Sequence, residues 1–91
     1  MKTLKLNMYS DAGHGWLRIP KKLFNTLDQQ LSSYSFYNDS YVYAEEDCDL
    51  PRVMNAIEAK GITVIITQVF VKNYSHIRNM DRCNFAVKGN T

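Results

Sequence analysis

Two short strings hold most of the side chains that can do chemistry. Ser10-Asp11-Ala12-Gly13-His14-Gly15-Trp16 brings an acid, an imidazole and an indole within seven residues. A carboxylate beside an imidazole is the arrangement that orients a general base. Glycines on both sides of His14 would let a ligand approach the backbone. The string lacks the Lys-Ser/Thr of a phosphate loop and is not followed at once by a helix. No Ser or Cys nucleophile can be assigned to His14. The plainer reading is a hairpin turn whose glycines supply unusual backbone angles.

The second string is Glu45-Glu46-Asp47-Cys48-Asp49. Hard carboxylates can bind cations, but an EF-hand is excluded, because Leu50-Pro51 follows and the required glycine is missing. If strand geometry persists, Glu45 and Asp47 point one way and Glu46 the other. The plainer reading places Asp47 and Asp49 at the positive end of a following helix, worth about 0.3–1 kcal/mol each. The remaining carboxylates then face water. Cys48 is a poor nucleophile, since its neighbouring carboxylates disfavour the thiolate, and it reads as a buried, inert thiol. No catalytic residue, metal ligand or cofactor is assigned. The partner-binding set is Asp11, His14, Trp16, Glu45, Glu46 and Asp47.

A third constellation is aromatic and basic. Tyr34, Phe36, Tyr41 and Tyr43 alternate on two strands and could stack bases as sheet aromatics do in RNA-binding modules. Arg18, Lys21, Lys22, Arg78 and Arg82, with Tyr74 and His76 nearby, could contact phosphates. The Lys/Arg-Gly-Phe/Tyr string of such modules is absent.

These residues sit in a chain of 91 residues with 45% hydrophobic and 22% charged side chains, a composition that excludes wholesale disorder. The length suits one small domain, 1–91. The net charge is +2, unevenly spread. Lys2, Lys5, Arg18, Lys21 and Lys22 lie early with only Asp11, whereas Asp39, Glu45, Glu46, Asp47 and Asp49 lie together without a base. This is not the pervasive negative charge of a nucleic-acid mimic, nor enough positive charge to bind nucleic acid by charge alone. No apolar run approaches the roughly 18 residues of a membrane span. No signal-peptide pattern is present, so Cys48 and Cys83 read as reduced thiols in a cytoplasm.

The elements that would position the strings follow from periodicity. Leu4, Leu6 and Met8 alternate with Lys5, Asn7 and Tyr9, a half-buried strand. Trp16 to Ile19 is a second strand. Pro20, then Leu23, Phe24, Leu27 and Leu31, predict a helix over 20–31 with Pro20 in its first turn. Ser33 to Tyr37 and Tyr41 to Glu45 flank Asn38-Asp39-Ser40 as a hairpin. Asp49 caps a second helix with Pro51 in its first turn, and Gly61 ends it. Ile62 to Val71, broken by Thr63, Thr67 and Gln68, reads as the most buried strand. Residues 74–91 are a weakly patterned tail with a short strand around Phe85 to Val87. The expected fold is α+β: a ferredoxin-like β-α-β-β-α-β core with an added N-terminal edge strand, and two helices on one face of an antiparallel sheet.

Four strings, Ser10 to Trp16, Tyr34-Ser35-Phe36, Tyr43 to Asp49 and Ser75-His76-Ile77-Arg78, resemble a family of small proteins encoded by tailed bacteriophages and prophages. The match spans roughly residues 9–78. The chain departs from the family at Ala44, where Leu is common, and at His76, where Pro is common. The resemblance implies a phage-derived protein of the host cytoplasm and carries no activity, substrate or cofactor.

Three functions are expected in order. First is a non-catalytic module that binds a host or phage protein, with inhibition of a CRISPR or restriction complex as one form resting on the phage resemblance. Second is nucleic-acid binding by the aromatic sheet and basic tail. Third is a small metal- or acid–base-dependent enzyme using Asp11, His14, Glu45 and Glu46, which requires those groups to meet. A homodimer through a sheet edge is also expected to be open to so small a chain.

Overall fold

The computed structural model describes residues 2–71, 77 and 80–83. The calls on Tyr74, His76, Arg78 and the strand around Phe85 to Val87 lie outside the described residues. The chain is α+β, with β1 (Lys2–Ser10), β2 (Gly15–Pro20), α1 (Lys21–Phe24), β3 (Phe36–Tyr37), β4 (Tyr41–Glu45), α2 (Leu50–Glu58), β5 (Ile62–Phe70) and β6 (Asp81–Arg82). The strands form one mixed sheet in the order β5-β1-β2-β4-β3-β6. Among the described residues no helix is long and apolar enough to cross a membrane.

Alternation decides which face each strand buries. Leu6 and Met8 of β1, Leu17 and Ile19 of β2, and Val42 and Ala44 of β4 share one core. Phe24 of α1 and Leu50, Val53 and Ile57 of α2 close the same core, so both helices lie on one face as expected. The opposite face gathers Trp16, Phe36 and Tyr43 under Ile77, with Tyr9, Tyr41 and Met80 at its margin.

Three expectations are corrected. The N-terminal strand is not an edge: β1 pairs antiparallel with β2 and parallel with β5, so the sheet is mixed rather than antiparallel. Lys5 lies on the face of β1 opposite the one that Leu6 and Met8 give to the core. Displaced by β1, β5 becomes an edge and is mostly exposed, not the most buried strand. A continuous β-branched run reports an apolar strand but not whether both its edges are paired. The first helix is a single turn, Lys21–Phe24, rather than a helix over 20–31, and Pro20 is its N-cap. Asn25, Thr26 and Asp28 are weak helix formers. The Thr26 hydroxyl donates to the Leu23 carbonyl at 2.7 Å, and Asp28 takes a left-handed φ of 55°. Leu27 and Leu31 are nonetheless buried in the core.

The hairpin forms with β4 as expected, but its first strand is only Phe36–Tyr37 rather than Ser33 to Tyr37, because Ser32 and Ser35 are drawn to the Asp49 carboxylate. The Asn38 side-chain oxygen accepts from the Ser40 and Tyr41 N–H groups at 3.0 and 2.9 Å, which closes the turn. α2 starts after Asp49, carries Pro51 in its first turn, and ends before Gly61, whose φ is 81°. Asp49 makes no side-chain cap. Its fully buried carboxylate faces the loop before β3 instead. It accepts from the Ser32 N–H at 3.0 Å, the Ser32 hydroxyl at 2.9 Å and the Ser35 hydroxyl. Arg52 approaches from the solvent side at 2.6 Å.

Asp49→Ala leaves Ser32 and Ser35 without their acceptor and is expected to cost about 2–4 kcal/mol in chemical denaturation. Arg52→Ala, which removes a half-exposed partner, is expected to cost under about 1 kcal/mol. Equal effects of the two substitutions would contradict this account of the carboxylate.

Candidate functional site: the His14–Glu45 cleft

The two chemical strings meet. The β1–β2 turn is built by Asp11, whose Oδ1 accepts from the Gly13 and His14 N–H groups at 3.0 and 3.1 Å. Its backbone N–H donates to the His14 carbonyl at 2.9 Å. Asp11 therefore shapes the turn and does not orient the imidazole. Glu45 takes that role: its Oε2 lies 3.0 Å from His14 Nδ1. Pairing of Trp16 with Glu45 across β2 and β4 sets this distance, because the turn then folds back over the end of β4.

The glycines act differently from expectation. Among the described glycines only Gly61 has a left-handed φ. A Cβ at Gly15 would lie 2.6 Å from Oε1 of the exposed Glu46 side chain, which can turn away, and 3.0 Å from Ser10 Oγ. The Glu46 N–H also donates to the Gly15 carbonyl at 2.9 Å.

Strand geometry does not persist through the acidic string. β4 ends at Glu45 and the chain turns, with the Asp49 N–H donating to the Glu45 carbonyl at 3.0 Å. The Glu45 side chain stabilises that turn: Oε1 accepts from the Asp47 and Cys48 N–H groups at 2.8 and 2.9 Å. Glu45 is itself 1% exposed. Burial pushes its carboxyl up, but the bonds from Cys48, His14 and Asp47 outweigh this and hold it below its ordinary range. Glu46 and Asp47 are exposed.

Cys48 is exposed rather than buried, whereas Cys83 is buried. The Cys48 thiol is pushed up by desolvation, then by its hydrogen bond to Glu45 and the charges of Glu45, Asp49 and Asp47. The Cys83 thiol is pushed up to about 12, chiefly by burial. Neither is a ready nucleophile.

His14 and Glu45 form one wall of a cleft of about 140 Å³, completed by Trp16, Tyr34, Phe36 and Arg82. Trp16 and Phe36 meet edge to face with centroids 5.9 Å apart. The Trp16 indole N–H donates to the Tyr34 carbonyl at 3.0 Å. Arg82 donates to the Ser33 carbonyl at 3.0 Å and lies over the Phe36 ring at 5.1 Å. The 32–35 loop, held from below by Asp49, thus carries Tyr34 to the rim. Among the described residues no three His, Cys, Asp or Glu side chains converge as a metal ion would need.

The structure regroups the predicted residues. From the partner-binding set, His14, Trp16 and Glu45 line the cleft, Glu46 and Asp47 stand exposed beside it, and Asp11 holds the turn. From the nucleic-acid set, Tyr34, Phe36 and Arg82 join the same cleft. The aromatic platform is corrected: Phe36 and Tyr43 are 3% and 4% exposed and have no open face for a base. Arg18 lies over the Tyr41 ring at 4.4 Å and the Tyr9 ring at 5.5 Å, and Lys21 lies over Tyr37 at 5.0 Å. Sequence reasoning missed Ser32 and Ser35, whose only signal is small hydroxyls just before a strand. No family model, curated protein or solved structure matches the chain.

Glu45→Gln is expected to destabilise the fold by about 1.5–3 kcal/mol at pH 7, because charge-assisted bonds are lost. A carboxyl lowered on folding contributes fully above its unfolded value and loses that contribution as it protonates. The deficit should therefore shrink as pH falls below the ordinary 4.5 toward the lowered folded value. Denaturation curves from pH 7 to pH 3 read this directly, and a constant deficit would refute it.

Proposed function

We propose that the chain is a small non-catalytic module that binds a partner protein, with the His14–Arg82 cleft receiving one anchoring side chain. The observation that carries this reading is the cleft's size and build. About 140 Å³ suits a single side chain. The floor is aromatic and buried, while His14, Tyr34 and Arg82 leave polar groups at the rim. Anchor pockets of this kind, ringed by polar residues, concentrate the energy of protein interfaces. Exposed Glu46 and Asp47 add an acidic margin that steers a basic surface. The resemblance to tailed-phage proteins extends the proposal to a host protein in the host cytoplasm, a CRISPR or restriction complex being one form.

A second reading has one observation in its favour. His14 and Glu45 are within hydrogen-bond distance, so with Nδ1–H donated to Glu45 the other ring nitrogen is a positioned base. Among the described residues the lining holds no Ser, Thr, Cys or Lys. Nucleic-acid binding retains Tyr34, Arg82 and Lys22 as exposed groups.

The finer topology belongs to the proposal as well. With β1 and the two-residue β6 set aside, the order β5-β2-β4-β3 is that of a ferredoxin-like sheet, with β1 added between its first and last strands and β6 at its edge.

Affinity capture with the full chain tests the function. A stoichiometric partner held by the parent chain should bind at least about tenfold more weakly to Arg82→Glu and to Tyr34→Ala, both on the cleft rim. A partner indifferent to both substitutions, or none, would defeat the reading. Capture of nucleic acid with steep salt dependence would favour the alternative.

A further inference from the structure

Arg82 lines the cleft as a held guanidinium rather than a loose one. It donates to the Ser33 carbonyl at 3.0 Å and lies over the Phe36 ring at 5.1 Å. A guanidinium carries several N–H donors in a planar fork, and this bond uses one of them. Its charge meets no carboxylate: among the described residues the ion pairs are His14–Glu45 and Arg52–Asp49. Alternation in β6 gives the adjacent Asp81 to the other face. There Asp81 lines a separate hollow with Asn38, Asp39, Ser40 and Tyr41. The nearby acceptors are engaged. Glu45 gives Oε1 to the Asp47 and Cys48 N–H groups and Oε2 to His14. The Tyr34 carbonyl takes the Trp16 indole N–H. An arriving side chain therefore meets the remaining guanidinium donors over an aromatic floor, in a cleft of about 140 Å³.

We infer that the anchor this cleft selects is an acidic side chain, Glu or Asp, of the partner protein, its carboxylate held by the Arg82 guanidinium. The inference rests on the protein-binding reading and adds the chemistry of the anchor. A planar guanidinium matches a carboxylate with two parallel bonds. With Nδ1–H donated to Glu45, the second ring nitrogen of a neutral His14 is an acceptor, which a Gln or Asn amide would also suit. Arg82 decides between the two. Closing the cleft over a guanidinium paired only with an amide would bury an uncompensated charge. A Lys or Arg anchor would set like charges together. Glu46 and Asp47 are exposed, so water and salt screen their repulsion of an incoming carboxylate. They are left to meet basic residues flanking the anchor.

Trp16 is the single tryptophan of the chain and lies in the cleft floor, so its indole N–H resonance reports occupancy. Titration of the full chain with the capped tripeptide Gly-Glu-Gly should shift that resonance saturably, with a Kd of about 1–10 mM. Gly-Gln-Gly should bind at least about fivefold more weakly, and Gly-Lys-Gly should leave the resonance in place. Arg82→Gln should erase the preference for Glu over Gln, and Arg82→Lys, which keeps the charge without the fork, should retain part of it. A Gln or Lys peptide that equals the Glu peptide overturns the inference. So does a Glu preference that survives Arg82→Gln, or a resonance that no peptide moves. Should Arg82→Gln disturb β6, the ranking of the peptides by the parent chain still decides. A captured partner that depends on Tyr34 while the cleft ranks Gln or Lys first overturns the anchor alone, whereas the lack of any partner defeats the protein-binding reading with it.

Discussion

A single buried carboxylate organises the part of the molecule that holds the cleft. Asp49 stands where a helix cap is expected, yet it spends its oxygens on Ser32 and Ser35 rather than on the first N–H groups of α2. The Ser35 hydroxyl in turn accepts from the Glu45 N–H at 2.9 Å. The chain of bonds therefore runs from the end of β4 through the loop before β3 to the start of α2. A buried charge with unmet hydrogen bonds costs several kcal/mol, so all these groups hold one arrangement or none. Tyr34, between the two serines, is placed by that arrangement.

Glu45 repeats the logic one turn earlier. Its two oxygens face in different directions, one to the turn at Asp47 and Cys48, the other to His14. The β1–β2 turn and the acidic turn are thereby tied through an almost fully buried carboxylate. This is why a string that reads as solvated charge behaves partly as interior structure. Only Glu46 and Asp47 keep the exposed character suggested by their types.

What the sequence disclosed follows a physical boundary. Strand alternation in β1 reports local periodicity, and its buried face was legible from Leu4, Leu6 and Met8. The hairpin at Asn38 and the span of α2 were legible because Asn, Pro and Gly act on the backbone locally. The meeting of His14 with Glu45 depends on register between strands far apart in the chain, which no local pattern encodes. The place of β1 was illegible for the same reason. Its alternation describes a strand with one buried face and is silent on the number of its neighbours. The truncated α1 shows the converse: Leu27 and Leu31 kept helical spacing and burial, but Asn25, Thr26 and Asp28 broke the backbone between them.

The parallel partnership of β1 and β5 also has a temporal side. These are the first and the last long strands made, and nine residue pairs join them. Parallel neighbours cannot be linked by a tight turn, so this seam waits for everything between them to be translated and for α2 to cross over. Closing such a distant contact carries a large entropic barrier, which slows the final step of folding. Until then the inner side of β1 stays open on the nascent chain, and a factor that bound this strand on the ribosome would control when the protein matures.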